Sequence, residues 1–193
     1  MSVLPEGYKE PDTSNYMKFE EGENIFRILS PVIVGMEYWV ANKEGEGRIP
    51  VRKQMDEEIL MEDLEVNPKT GELDTPKHFW ACVVWNKNSE RIQVLQISQQ
   101  SIRKAITALE RSKGWGDARE YDITVTKEGT GFDTEYTIMP NPKEEVSKKI
   151  LEAYEKVNIN LEALFSGDDP FKSSDSKDSK KSKELAEEIA KKI

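Results

Sequence analysis

The stretch from Lys77 to Ile97 limits the possible folds more than any other part of the chain. Lys77-His78-Phe79-Trp80-Ala81-Cys82-Val83-Val84-Trp85 and Arg91-Ile92-Gln93-Val94-Leu95-Gln96-Ile97 are rich in β-branched and aromatic residues. The polar run Asn86 to Glu90 separates them, which is the pattern of a β-hairpin. On the first strand Phe79, Ala81, Val83 and Trp85 share one face, and Trp80, Cys82 and Val84 share the other. Both faces are apolar. A barrel interior takes one set and a covering helix can claim part of the other, but alternation alone does not say which.

The rest of the chain supplies strands for such a barrel. Residues 1–21 lack periodicity and read as an acidic arm. Asn24 to Leu29 and Val32 to Val40 read as one long strand bent at Pro31, which removes a ladder donor. Arg48 to Lys53 is a short strand with three cations. Residues 42–76 as a whole read as an acidic insertion, with a short amphipathic helix around Ile59, Leu60 and Leu64 and a turn at Asn67-Pro68-Lys69-Thr70-Gly71. Ser98 or Ser101 can cap a helix over Ile102 to Ser112, with Ile102, Ala105, Ile106 and Leu109 on one face and Gly114 as its stop. Arg103, Lys104 and Arg111 fall on its other faces, expected to be solvated. Glu120–Thr126 and Thr134–Met139 alternate as strands, joined by a loop with Gly129 and Gly131.

This order predicts a mainly β domain over 22–140. It is that of a five-stranded oligonucleotide-binding barrel, with its helix between the third and fourth strands. Asn141-Pro142-Lys143-Glu144 predicts a helix start, and Val146, Ile150, Tyr154 and Val157 place a packed helix at about 143–157, in a C-terminal segment 141–165. Residues 166–193 read as a flexible tail. Its Lys172 to Ser182 stretch is almost entirely Ser, Lys and Asp, and Leu185, Ile189 and Ile193 mark a final amphipathic helix.

Composition bears on partners. The 193 residues carry a net charge of −9, which opposes binding to phosphate. The charge is uneven, however: residues 76–127 hold nine basic and five acidic side chains, whereas residues 1–75 hold eight basic and 17 acidic. The basic block therefore coincides with the aromatic hairpin and the helix after it. Aromatic faces held beside fixed cations suit unstacked bases on a phosphate backbone. No apolar run is long enough to span a bilayer and no leader pattern precedes the domain, so a cytoplasmic location is expected.

Enzymatic and metal chemistry find no support in the sequence. The single histidine, His78, and the single cysteine, Cys82, are too few for a usual structural zinc site. No serine is singled out as a partner for His78 in a nucleophilic triad, and no phosphate-cradling loop of the Gly-Lys-Ser/Thr type is present. Neither an enzyme nor a cofactor is expected.

Asn15-Tyr16-Met17-Lys18-Phe19, Gly22-Glu23-Asn24-Ile25-Phe26-Arg27-Ile28-Leu29, Glu37-Tyr38-Trp39, Phe79-Trp80-Ala81-Cys82-Val83-Val84-Trp85-Asn86 and Tyr121-Asp122-Ile123 resemble single-stranded DNA-binding proteins of tailed bacteriophages. The resemblance implies an oligonucleotide-binding barrel that coats single strands in phage DNA replication, recombination and repair. It also implies an acidic, phenylalanine-containing peptide that competes with DNA and recruits replication proteins. Ser166-Gly167-Asp168-Asp169-Pro170-Phe171 is similar to that peptide, although here 22 further residues follow it. Some phage relatives hold a zinc ion whose ligands this chain lacks.

The expected DNA contacts are Arg27, Tyr38, Trp39, Arg52, Lys53, Lys77, Phe79, Trp80, Trp85, Lys87 and Arg91, with two of Trp39, Trp80 and Trp85 stacking on bases. Arg48 is a further candidate, Arg27 is as well explained as a solvated outward residue, and Trp115 reads as packing. Asp168, Asp169, Pro170 and Phe171 are the expected partner-binding residues. Self-association is a further expectation. Two competing readings remain at this point: an acidic protein-interaction module, and an RNA-binding translational repressor.

Overall fold

The computed structural model describes residues 14–172. Among the described residues there are eight strands: β1 (Tyr16–Met17), β2 (Gly22–Ile28), β3 (Ile33–Ala41), β4 (Arg48–Gln54), β5 (Lys77–Asn86), β6 (Arg91–Ile97), β7 (Tyr121–Glu128) and β8 (Glu135–Lys143). Three helices accompany them: α1 (Gln100–Arg111), α2 (Lys148–Lys156) and the single turn α3 (Ala163–Ser166). The last amphipathic helix expected at Leu185 to Ile193 lies outside the described residues, as does most of the N-terminal arm.

The hairpin is the centre of the sheet. β5 pairs with β6 from Trp80 opposite Ile97 to Asn86 opposite Arg91. Along its other edge runs the bent strand. β3 pairs with the first half of β5, from Glu37 opposite Lys77 to Ile33 opposite Ala81. β2 pairs with the second half, from Ile28 opposite Val84 to Phe26 opposite Asn86. The gap between them holds Pro31, which has no amide hydrogen to give. Ser30 offsets the interruption: its Oγ accepts the amide of Val83 at 2.8 Å, while the amide of Leu29 donates to the Val83 carbonyl at 2.9 Å. The bend therefore leaves the buried backbone of β5 satisfied.

The sheet stays open, which corrects the expectation of a closed five-stranded barrel. β7 pairs with β2, and β8 pairs with β7, but β8 does not pair with β6. The free edge of β6 is taken by β1, parallel, with Tyr16 opposite Val94 and Met17 opposite Leu95. On the other side of the opening α1 packs against β8. Pro140 and Pro142 within β8 lack donors, so that strand is poorly suited to complete another ladder.

Burial explains why both faces of β5 are apolar. Phe26, Ile28, Cys82, Val84, Leu95, Ile97, Ile102, Ile106, Tyr121, Ile123 and Val125 form the interior between the curled sheet and α1. The opposite face of β5 is covered by the C-terminal segment. Val83 and Trp85 pack with Val146, Ile150 and Tyr154, while Phe79 and Ala81 pack with Leu164 and Phe165. Each large side chain fully removed from water there contributes about 1.5–3 kcal/mol, so α2 and α3 are part of the domain's core.

Several local expectations change. Asn141-Pro142-Lys143 does not start a helix but ends β8, because the Asn141 amide donates to Thr124 Oγ1 at 2.9 Å and to the Asp122 carbonyl at 3.3 Å. α2 begins later, with Ser147 at the cap position. Neither Ser98 nor Ser101 caps α1; that position is held by Gln99 without a side-chain bond. α1 ends at Arg111, ahead of Gly114, and the left-handed glycine after it is Gly116. The helix expected around Leu60 is only a 3-10 turn at Met61–Asp63. The acids of that region have a structural use, since β3 outruns β5 at Tyr38. Carboxylates of Asp74 and Glu65 accept the stranded amides of Trp39 and Ala41 at 2.7 and 2.6 Å.

Candidate nucleic-acid interface

Strand parity sorts the aromatic residues of the hairpin into two environments. Phe79 and Trp85 lie on the face beneath the C-terminal segment and are 0% and 6% exposed. Phe79 meets Phe165 with ring centroids 6.1 Å apart, and the Arg52 guanidinium stands 5.7 Å from its centroid. Lys149 of α2 lies 5.7 Å from the Trp85 ring. Phe79 is fully covered, and Trp85 borders only a hollow of about 350 Å³ whose lining includes the carboxylates of Glu90, Asp122, Glu144 and Glu145, a setting poorly suited to the base-platform role expected of both rings. Tyr38 is likewise buried, its hydroxyl pKa raised by burial and by the nearby Asp63 and Glu57 carboxylates.

Trp80 faces the other way. It is half-buried against the edge of the core and lines two hollows of about 380 and 360 Å³ that share Trp80, Thr107 and Arg111. Together they make a trough between β5 and α1. The α1 wall of the second hollow consists of Gln100, Arg103, Lys104, Thr107, Ala108 and Arg111, whose spacing of three and four residues marks one helical stripe. His78 completes this end, and no carboxylate lines it among the described residues. The first hollow is mixed, with Glu110 and Asp117 beside Arg111 and Arg119.

The groups at the cationic end are held in place. Arg103 Nη1 donates to the carbonyls of His78 at 2.7 Å and Ser98 at 2.5 Å, tying α1 to β5. Lys104 and Arg111 are exposed and make no ion pair among the described residues. The His78 pKa is pushed below the ordinary imidazole value, first by burial and then by the Arg103 charge. Its imidazole is therefore neutral at neutral pH, with Nε2 buried and without a hydrogen-bond partner among the described residues.

The expected cations are more dispersed. Arg27 is 2% exposed and lies inside the protein, paired with Asp122 at 2.7 Å and donating to the Glu144 carbonyl at 3.0 Å. That placement corrects both readings offered for it, the phosphate ligand and the solvated residue. Lys87 bonds Asp122 and Glu144, and these bonds raise its pKa. Arg52 pairs with Glu37 at 2.8 Å and donates to Gln96 at 3.0 Å. Lys53 is half-buried on β4, Lys77 is exposed at the start of β5, and Arg91 is half-buried at the start of β6. Arg48 donates to the Trp39 carbonyl and pairs with Asp74 at 3.7 Å. Trp39 itself is 40% exposed. Trp115 packs edge-on against Tyr121 at 5.3 Å.

The acidic peptide is folded back onto the domain. Pro170 is buried, and its carbonyl accepts the Asn160 amide at 2.9 Å. Phe171 meets the edge of Tyr16 at 5.7 Å, while Asp168 and Asp169 remain exposed. The Tyr16 hydroxyl pKa is raised, mainly by burial, and Asp169 adds to the shift.

Arg103, Lys104 and Arg111, expected only as solvated residues of the helix, and His78 line this trough, although none was among the expected DNA contacts. Their signal was present in the helical stripe and in the adjacency of His78 and Trp80 on alternate positions of one strand.

The chain is similar to a protein of Escherichia phage T5 named as a probable ssDNA-binding protein. The two are 27% identical over 143 residues, covering 66% of this chain and 55% of the phage protein. The chain thus spans just over half the length of that relative. This match agrees with the resemblance carried by the motifs at 15–39 and 79–86. No protein-family model matches the chain, and no solved structure does. No helix among the described residues is long and apolar enough to cross a membrane.

Proposed function

We propose that this chain is a non-enzymatic protein that binds single-stranded DNA without strong sequence preference, stacking bases on aromatic side chains and neutralising phosphates with lysine and arginine. The observation that carries the reading is the similarity, over two thirds of the chain, to the phage T5 protein named as a probable ssDNA-binding protein. The geometry supports it in two ways. The mainly β domain, an open curled sheet with α1 lying between the β5–β6 hairpin and the β7–β8 pair in sequence, is compatible with an oligonucleotide-binding type of architecture. In addition, two indoles, Trp39 and Trp80, reach the surface.

Coating of single strands during phage replication, recombination and repair, in the cytoplasm of the host, belongs to the same proposal. So do contacts with phage replication proteins through the tail, and self-association.

Titration of the intrinsic tryptophan fluorescence with a mixed-sequence DNA oligonucleotide tests the reading. Quenching at low salt, with affinity falling as salt rises, is the expected result. No quenching and no change in electrophoretic mobility at low salt would overturn it. A protein-interaction module draws on a different observation, the exposure of Met61 (77%) and Phe132 at the tip of the β7–β8 loop. That reading gains if a protein partner is captured equally well after nuclease treatment while oligonucleotides fail to bind. An RNA oligomer of the same sequence, used as competitor, separates a repressor from a DNA-coating protein.

A further inference from the structure

Resting on the single-strand reading, we infer that the trough between Trp80 and α1 is a single-strand binding site, in which one base stacks on Trp80 and the flanking phosphates pair with Arg103, Lys104 and Arg111.

Three observations converge on this surface. The first is elimination. On the opposite face of β5 Phe79 is covered, Trp85 borders a hollow lined by the carboxylates of Glu90, Asp122, Glu144 and Glu145, and the neighbouring cations Arg52 and Lys87 are committed to Glu37, Asp122 and Glu144. The exposed Trp39 sits beside the carboxylates of Asp74 and Glu65, which accept backbone amides at Trp39 and Ala41 and would repel a phosphate chain. The second is charge. The trough's His78 end presents Arg103, Lys104 and Arg111 with no carboxylate lining it among the described residues, in a chain whose net charge is −9. A cluster of cations on an acidic protein creates a local field that favours polyanions. The third is form. The stripe from Gln100 to Arg111 extends about 16 Å at 1.5 Å per residue, so the site is an elongated track, and the hollow beside it admits a flat ring against Trp80.

The same geometry selects an unpaired strand. A duplex keeps its base faces stacked, whereas an unpaired strand can turn one base into the hollow while its backbone follows the helix. Arg103 is already fixed by its bonds to the His78 and Ser98 carbonyls, so ordering that side chain adds little cost on binding.

The experiment compares oligothymidylate binding by wild-type protein, Trp80→Phe, Trp80→Ala, Lys104→Gln/Arg111→Gln and a control pair, Lys69→Gln/Lys156→Gln. The control pair changes net charge equally, at exposed positions away from the trough. Thermal melts confirm that each variant is folded, and Trp80→Phe serves where Trp80→Ala is not. Trp80→Ala is expected to weaken binding by about 5- to 150-fold, the loss of one stack. Trp80→Phe should keep most of the affinity and lose most of the fluorescence quench. The Lys104/Arg111 pair should reduce the slope of log affinity against log salt by about 1.4, at roughly 0.7 per lost phosphate contact on a single strand, and the control pair should not.

If wild-type protein binds but the quench survives in Trp80→Phe and the slope is unchanged in the Lys104/Arg111 pair, the trough site is wrong while the single-strand reading stands. If wild-type protein does not bind at all, both fall.

Discussion

Arg27 separates a structural reading from a DNA-binding one with a single substitution. Its guanidinium lies between β2, β7 and the start of the C-terminal segment. Nε donates to Asp122 Oδ1 at 2.7 Å, and Nη1 donates to the carbonyls of Glu144 at 3.0 Å and Arg119 at 3.5 Å. The side chains of Arg27 and Asp122 are 2% and 5% exposed. Arg27→Met keeps the length and apolar stem but removes every one of these bonds. Breaking a buried pair by deleting one member typically costs about 3–5 kcal/mol, because the partner charge is left uncompensated. Here Lys87 already bonds the other oxygen of Asp122, so the loss belongs at the lower end, about 3 kcal/mol.

Urea unfolding reads this directly. With a slope of about 1–3 kcal/mol per molar for a small protein, the midpoint should fall by roughly 1–3 M. Arg27→Lys retains the charge but not the planar fork, and should fall between wild type and Arg27→Met. The double substitution Arg27→Met/Asp122→Leu should recover part of the loss, since it removes the stranded carboxylate as well. Oligonucleotide affinity of the folded Arg27→Met protein should stay at the wild-type value. An unchanged urea midpoint together with a salt slope lowered by about 0.7, one lost phosphate contact, would refute the reasoning and restore Arg27 to the DNA surface.

Three other perturbations are informative. A β-carbon at Gly35 would stand 2.5 Å from the Lys53 carbonyl oxygen and 2.8 Å from the Phe165 ring. Gly35→Ala should therefore destabilise the domain by about 1–3 kcal/mol and speed proteolysis of the C-terminal segment; wild-type melting and cleavage rates would show that Phe165 is not seated on the sheet. The Cys82 thiol is fully buried and its pKa is pushed up to about 12 by burial, so it should resist thiol reagents at pH 8 until the protein unfolds, and immediate labelling of native protein would contradict the packing. His78, with Arg103, Lys104 and Arg111 around it, has a depressed pKa in the free protein. The free fold therefore has its full His78 contribution above the ordinary imidazole value of about 6.5 and loses it as pH falls through the lowered value. Phosphate in the trough would raise that pKa, so binding would take up a proton and affinity would rise as pH falls through the imidazole range. His78→Gln should flatten this dependence in titrations at matched salt; an unaltered profile would remove His78 from the site.

What could be read from sequence divides along the reach of the interactions involved. The hairpin, the bend at Pro31 and the strands at 121–128 and 135–143 rest on alternation and turn chemistry within a few residues, and they form close to where those signals place them. Closure of the barrel depends on which segment takes the free edge of β6, and nothing in the pattern of β8 announces that Tyr16–Met17 does so. The helix start at Asn141-Pro142 was a sound local signal overruled by distance: the Asn141 amide finds Thr124 and Asp122, 17 and 19 residues earlier, and β8 continues through it. Arg27 was ambiguous because a cation in an apolar strand looks the same whether it faces water or a buried aspartate far along the chain.

The candidate site shows the same division more sharply. The cation stripe of α1 follows from helical spacing and the parity of Trp80 from strand alternation, but the sequence reading took the stripe as solvated and did not join it to Trp80. What could not be read was the destination of each face. Phe79, Ala81, Val83 and Trp85 are as apolar as the opposite set, and only the packing of Val146, Tyr154, Leu164 and Phe165 against them decides that this face is closed. Once it is closed, the surface left open around the hairpin is the one flanked by α1. The helix that fills the mouth of the sheet with Ile102 and Ile106 thereby turns Arg103, Lys104 and Arg111 toward the same opening that exposes Trp80. One amphipathic helix thus closes the core and supplies the cationic wall, and a substitution that rotates it would be expected to lose both together.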